Sequence, residues 1–366
     1  MPNTVATDVL IVGGGPAGSS TALSLLKYSN LKVMIIEQND LNSIRVGEQV
    51  NASLFDLLDY IGINKSDFEE NSFLPGYSSL AAWGSSHISS RHTIFSTQVD
   101  SFQLDREQFD LMLLKQASEK GAIVFPRTKC IDFQQTDSAW TIELRHETRG
   151  DFTIKSTYLI DASGRQSHVC RKLGIPIEKY DDLVAIGAFL HFKDTKRAIK
   201  QEILLETVED GWWYFAGLPN QEMVVSLFTD STIVKEKQLQ KTENWNELLS
   251  NTVHIKKMLA NTSSNSKPWV RNAFSHISNI GTKSNFLAVG DAIASFDPIS
   301  SMGIGFAISS ACHAAKAIID NDNDANTFLN YQENISAIFK HYLETKTLFY
   351  NKENRWNNSS FWKKRN

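Results

Sequence analysis

Gly13, Gly15 and Gly18 stand in the order G-x-G-x-x-G, within Gly13-Gly14-Gly15-Pro16-Ala17-Gly18. Glycines at this spacing can cradle a pyrophosphate. Gly13 permits a tight turn, Gly15 lets the backbone approach the ligand, and Gly18 lets a helix pack on the preceding strand. A helix opening at Pro16 and Ala17 would offer free N–H groups and a positive dipole end to the anion. Glu37 follows Gly18 by nineteen residues. Its carboxylate can accept hydrogen bonds from ribose hydroxyls and disfavours a 2′-phosphate. Near the far end of the chain come Gly290-Asp291, Asp297-Pro298 and Gly303-Ile304. Gly290 allows close backbone approach, Asp291 can hold a polyol hydroxyl, and Pro298 makes a rigid turn. A helix starting at Gly303 would aim its positive end at a ring that takes on negative charge.

Such residues need a strand, a turn and a helix to present them. Residues 9–12 read as a buried strand, 17–27 as a helix and 32–37 as a second buried strand. That βαβ unit implies a parallel sheet. Residues 104–120 are amphipathic, and 122–125, 140–144, 152–156 and 158–161 read as strands. Longer strands follow at 184–192, 201–206, 212–216 and 223–228, as expected of an inserted antiparallel sheet. Residues 243–259 read as one helix, 261–267 as a loop, 286–289 as a strand and 303–319 as a helix. The chain beyond Asp320 opens on a polar linker and ends in a basic segment with Trp356, Phe361 and Trp362. That end reads as a solvated, frayed helix, or alternatively as a docking segment for a partner.

At 366 residues the chain suggests about two domains. With 37 Lys and Arg against 41 Asp and Glu, a net charge of −4 gives no electrostatic footprint for nucleic acid. Cys130, Cys170 and Cys312 lie far apart, which argues against a disulfide framework and for a reducing compartment. No uncharged apolar stretch approaches the length of a membrane span. A cytoplasmic location is expected.

The two-ended glycine and acid pattern resembles the p-hydroxybenzoate-hydroxylase-type flavoproteins, a superfamily with aromatic monooxygenases, tryptophan halogenases and geranylgeranyl reductases. Three further segments agree: Val46-Gly47-Glu48, Leu104-Asp105-Arg106-Glu107-Gln108-Phe109, and Leu159-Ile160-Asp161-Ala162-Ser163-Gly164-Arg165. The resemblance covers roughly residues 5–320. It implies an α/β fold with a Rossmann-like FAD-binding domain (residues 1–75, 100–182 and 276–320). An antiparallel-sheet substrate or partner domain (76–99 and 183–275) and a C-terminal helical tail (321–366) complete it. It implies FAD as cofactor, with Arg106 contacting it and Asp291 on the ribitol. Gly13, Gly15, Pro16, Ala17, Gly18, Glu37, Arg45, Gly290, Pro298, Gly303 and Ile304 complete the expected cofactor set. No second glycine-rich nucleotide fold is visible, so NAD(P)H binding transiently or an external reductase would supply electrons.

The late segment is most similar to the halogenase-like branch, yet two of its features are missing. Halogenases supply a lysine after the first βαβ unit, and no lysine stands between Lys65 and Lys115 here. Their helix glycine follows Ser or Thr, whereas Met302 precedes Gly303. The cluster Trp212-Trp213-Tyr214, with Trp83, looks like a smaller group in that branch. Those flavoproteins act on a partner, the precursor of a quinone-bearing amino-acid oxidase, to build its tryptophylquinone. The resemblance implies that reduced flavin and dioxygen deliver a hydroxyl to a tryptophan ring of that precursor. The alternatives are a hydroxylase or halogenase of a small aromatic molecule and a flavin-bearing maturation chaperone. Glu48 and Asp297 are the candidate acid–base groups, with Pro298 beside the ring, although Asp297 could equally be a helix cap. Trp212, Trp213 and Tyr214 could equally be strand residues filling a core. His87 and His92 carry weaker claims to a catalytic role.

Overall fold

The computed structural model describes residues 4–40, 45–69, 71–92, 101–136, 139–193, 199, 201–264, 267–281, 283–321 and 326–365; the side chains of 91 and 92, His92 among them, lie outside that description. The apolar run at the start forms β1 (Thr4–Val12), buried over its last four residues. A strand covered on both faces needs apolar side chains at every position. It pairs in parallel with β2 (Val33–Ile36) on one side and with the Gly150–Asp161 strand on the other. Helix α1 (Pro16–Tyr28) makes the crossover between β1 and β2.

The whole sheet runs Ile123–Phe125, β2, β1, Gly150–Asp161, Trp140–His146, Thr128–Gln135, with Phe286–Ala288 added in parallel to Gly150–Asp161. Three parallel strands thus end side by side at Val12, Asp161 and Ala288. Ligands bind at the carboxyl ends of such strands. Residues 152–161 form a single strand where the sequence reads two. The burial pattern changes within it, from alternating to continuous, while the backbone pairing runs on unbroken.

A second, eight-stranded sheet is antiparallel except where Glu202–Val208 pairs in parallel with Ser78–Ala82. Its central strands are Leu183–Phe192, Met223–Asp230 and Gly211–Gly217. A small sheet joins the two: Ser101–Leu104 lies between Gln49–Asn51 and Phe73–Gly76. The α/β architecture with an inserted antiparallel sheet therefore stands. Among the described residues no helix is long and apolar enough to cross a membrane.

Two expectations are corrected. Residues 243–259 form two helices, Thr242–Ser250 and Ile255–Met258. The break has a cause in Glu206, a buried carboxylate that accepts the backbone N–H groups of Val253 (2.5 Å), His254 (2.9 Å) and Ile255 (2.8 Å). An internal acid thus caps a fresh helix start. The C-terminal segment is not frayed. Helix Thr327–Tyr350 leads into turns that carry Phe361 and Trp362, both 0% exposed. Trp362 Nε1 donates to the Val208 carbonyl at 2.8 Å, and Arg365 pairs with the buried Asp230 at 2.6 Å. The basic end is thus fastened to the second sheet. In the linker that precedes this helix, residues 322–325 lie outside the described residues, as do 265 and 266 of the expected loop.

Candidate functional site

The glycine turn closes as its spacing demands. Gly13 has φ +117°, in the region that favours glycine, and a Cβ there would sit 2.3 Å from the Ala162 carbonyl oxygen. A Cβ on Gly18 would lie 1.9 Å from the Gly13 carbonyl oxygen, so helix and turn touch directly. At Gly15 a Cβ would meet nothing within 4 Å. Helix α1 has no side-chain cap and no acid in its first turn, so its free N–H groups face that open space. Glu37 follows β2: one oxygen accepts the Gly14 N–H at 2.8 Å, the other the Asn39 N–H at 2.9 Å. The acid is thereby fixed beside the turn.

The far end of the chain meets this turn. Gly290 has φ +58°, and a Cβ on it would approach the Ala17 side chain at 2.7 Å. Asp291 follows, one oxygen 3.2 Å from Arg165 Nε and the other without a partner. Arg165 also donates to the carbonyls of Asn272 and Phe296, which locks the acid's orientation. The helix Gly303–Asp320 likewise lacks a side-chain cap and an acidic first turn, and Cβ atoms at Gly303 and Gly305 would enter open space. Two uncapped helix starts, glycines facing empty space and a half-satisfied carboxylate fit a dinucleotide with a polyol arm.

Arg106 and Arg45 converge on Asp110, at 3.0 and 2.6 Å. Arg106 also donates to the Val46 and Gly47 carbonyls. Burial works against its charge, but Asp110, Glu48 and Asp291 together outweigh it and raise the guanidinium pKa. Asp110 was not singled out in the sequence, although its i,i+4 spacing from Arg106 was a usable signal.

Glu48, beside this arginine, is buried and one of its oxygens has no partner. Burial pushes its pKa to about 7; Arg106 and the backbone N–H groups of Glu48 and Gly47 only partly offset it. Next to it Tyr214 Oη donates to Gln103 Oε1 at 3.2 Å, and the Gln103 amide nitrogen is also unpartnered. A carboxyl pKa raised from 4.5 to about 7 adds folded-state stability fully below pH 4.5, and that contribution is lost as pH rises through 7. Glu48→Gln is therefore expected to be more stable than wild type above pH 7, by up to about 3 kcal/mol. The gap should close toward pH 4.5, which urea unfolding of the apo-protein at pH 5 and pH 8 measures.

The other expected residues are placed differently. Asp297 caps Ile299 N–H with one oxygen and accepts the Tyr350 hydroxyl with the other, so both its oxygens are engaged. It is the structural cap of the turn at Pro298 rather than a free acid. Strand alternation separates the aromatic cluster. Trp212 and Tyr214 pack into the same cluster, Trp212 meeting Trp83 and the Tyr350 hydroxyl and Tyr214 reaching Gln103, whereas Trp213 packs into the other cluster against Trp245. Trp213 is 0% and Trp212 1% exposed, which corrects the assignment of both as substrate-facing residues. His87 is exposed at a turn.

A family described as FAD binding domain matches residues 6–343. The chain belongs to that family. It is an FAD-dependent oxidoreductase. LodB of Marinomonas mediterranea, described as an FAD-dependent oxidoreductase, is 42% identical over 359 residues, spanning 98% of this chain and 96% of LodB. The flavin-dependent halogenase CmlS shares the fold, with a TM-score of 0.86 at 24% identity over 99% of this chain and 68% of its own. So does QhpG, a peptidyl tryptophan dihydroxylase essential for tryptophylquinone cofactor biogenesis. Its TM-score is 0.76 at 20% identity, over 99% of this chain and 79% of QhpG.

Proposed function

We propose that the protein is a monooxygenase-type flavoprotein that assists hydroxylation of a tryptophan in a partner precursor, on the way to its tryptophylquinone. In this reading the Gly13–Gly18 turn would hold the pyrophosphate of FAD, Glu37 its ribose and Asp291 its ribitol, with Arg106 and Arg45 alongside. Bound flavin supplies the redox chemistry, with electrons from NAD(P)H or a separate reductase. The protein's own residues orient the ring, exclude water and move a proton at Glu48.

One observation carries this reading. Beside Arg106 the Glu48 carboxyl is buried with one oxygen unpartnered, and burial pushes its pKa up to about 7, while the stretch between Lys65 and Lys115 lacks the lysine of halogenases. A carboxyl titrating near neutrality suits proton acceptance from a hydroxylated ring. The near-full-length similarity to LodB and the fold shared with QhpG support the same reading.

A second reading, a hydroxylase or halogenase of a small aromatic molecule, draws support from the fold shared with the flavin-dependent halogenase CmlS. Co-expression with the precursor of a quinone-bearing amino-acid oxidase separates the two by intact-mass spectrometry. The expected result is oxygen mass on the precursor with the wild-type flavoprotein and none with Gly15→Val. Equal gain with both would point to a maturation chaperone. No gain with wild type, together with turnover of a free phenol or indole, would establish the small-molecule reading.

A further inference from the structure

The helix Thr327–Tyr350 carries none of the residues assigned to the cofactor, yet one of its faces is directed at the turn before Gly303. Tyr342, Lys346 and Tyr350 recur every four residues and so share one stripe. All three converge on the turn at Asp297. The Asp297 N–H donates to Tyr342 Oη at 2.7 Å, and Tyr350 Oη donates to Asp297 Oδ2 at 2.8 Å. Lys346 Nζ stands 3.9 Å from the same carboxylate while pairing with Asp181 and donating to Ser275 Oγ at 3.1 Å. Ser275 Oγ in turn meets Tyr342 Oη at 2.7 Å. Trp212 Nε1 donates to Tyr350 Oη at 3.0 Å, which ties the second sheet to the same point.

These contacts are buried, and Asp297 is 0% exposed. The remaining Asp297 oxygen caps Ile299, so the turn has no spare freedom. Gly303, where the uncapped helix begins, is six residues further on. A backbone fixed this closely ahead of a helix start dictates where its free N–H groups point.

We propose that the C-terminal helix is a working part of the flavin site. Its Tyr342, Lys346 and Tyr350 are positioning residues that set the Asp297–Pro298 turn and, through it, the start of the Gly303 helix facing the cofactor. Burial pushes the Asp297 carboxyl up, and Lys346 and the Tyr350 hydroxyl from the C-terminal helix only partly draw it back. The inference depends on FAD occupancy alone and is independent of what the flavin oxidises.

The test uses the full chain carrying Tyr342→Phe and Tyr350→Phe, which keep both rings and delete both hydroxyls. Leu348→Ala, on an exposed position of the same helix, is the control. The apo-proteins are titrated with FAD, and the visible circular dichroism of the bound flavin is recorded. The double variant is expected to bind FAD about tenfold more weakly, with an altered visible band and a smaller FAD-induced rise in unfolding temperature. Leu348→Ala should match wild type in all three. A double variant that binds FAD within about twofold of wild type, with an unchanged visible band, overturns the proposal whether or not apo-protein stability falls. Should the double variant fail to fold, Tyr350→Phe alone is read in the same way.

Discussion

Gly15→Val is expected to give a folded protein that no longer holds FAD, whereas Gly18→Ala is expected to damage the fold itself. The two glycines stand three residues apart in one motif, and the difference between them is steric. Gly15 has φ −74° and ψ −173°, an extended conformation open to any residue, and its Cβ would meet no protein atom within 4 Å. A valine there costs the apo-protein little, but its methyl groups take the space a pyrophosphate needs. FAD affinity should fall at least about a hundredfold, near 2.7 kcal/mol. A Cβ at Gly18 would lie 1.9 Å from the Gly13 carbonyl oxygen and 3.2 Å from an Ile11 methyl, and backbone must move to admit it. That displacement costs about 1–3 kcal/mol in the apo-protein. Thermal unfolding of both apo-proteins, followed by FAD titration, separates the effects. Equal apo stability for the two variants, or tight FAD binding by Gly15→Val, would contradict this account of the turn.

This contrast also marks what the sequence could carry. The βαβ unit was legible because its residues obey local rules: an apolar strand, a glycine turn, an uncapped helix and an acid at the end of the next strand. Asp291 and the Gly303 helix were legible for the same reason. Asp297 was ambiguous, because an acid before a proline can be a cap or a catalyst. One oxygen caps the Ile299 N–H, and the Tyr350 hydroxyl, about fifty residues later, takes the other; no local pattern announces a partner at that separation. Trp213 was misjudged because adjacent aromatics in a strand read as one cluster until the pleat sends them to opposite faces. The break after Ser250 was hidden in the same way, since its cause is Glu206, in a distant strand.

Trp362→Ala should lower stability by about 3–5 kcal/mol, the usual cost of truncating a fully buried tryptophan. Lys363→Ala, its exposed neighbour, should stay within about 0.5 kcal/mol of wild type. The large value follows from what the indole does at the end of the chain. Its ring meets Trp83 edge-on at 5.7 Å, Tyr350 at 5.8 Å and Phe361 at 5.1 Å, and its N–H satisfies the Val208 carbonyl. Alanine removes that packing and leaves the Val208 carbonyl at the strand's end without its donor. Urea unfolding of the apo-protein measures both variants, and equal, small effects would return the terminus to the solvated state its composition suggests. The loss should also reach the flavin end. Trp362 packs on Tyr350, whose hydroxyl holds Asp297 at the turn before Gly303. Trp362→Ala should therefore weaken FAD retention in addition to stability, whereas a destabilising change remote from this helix should leave FAD affinity of the folded protein intact. The basic, aromatic end of the chain is in this sense part of the route by which the second sheet and the cofactor site are held in register.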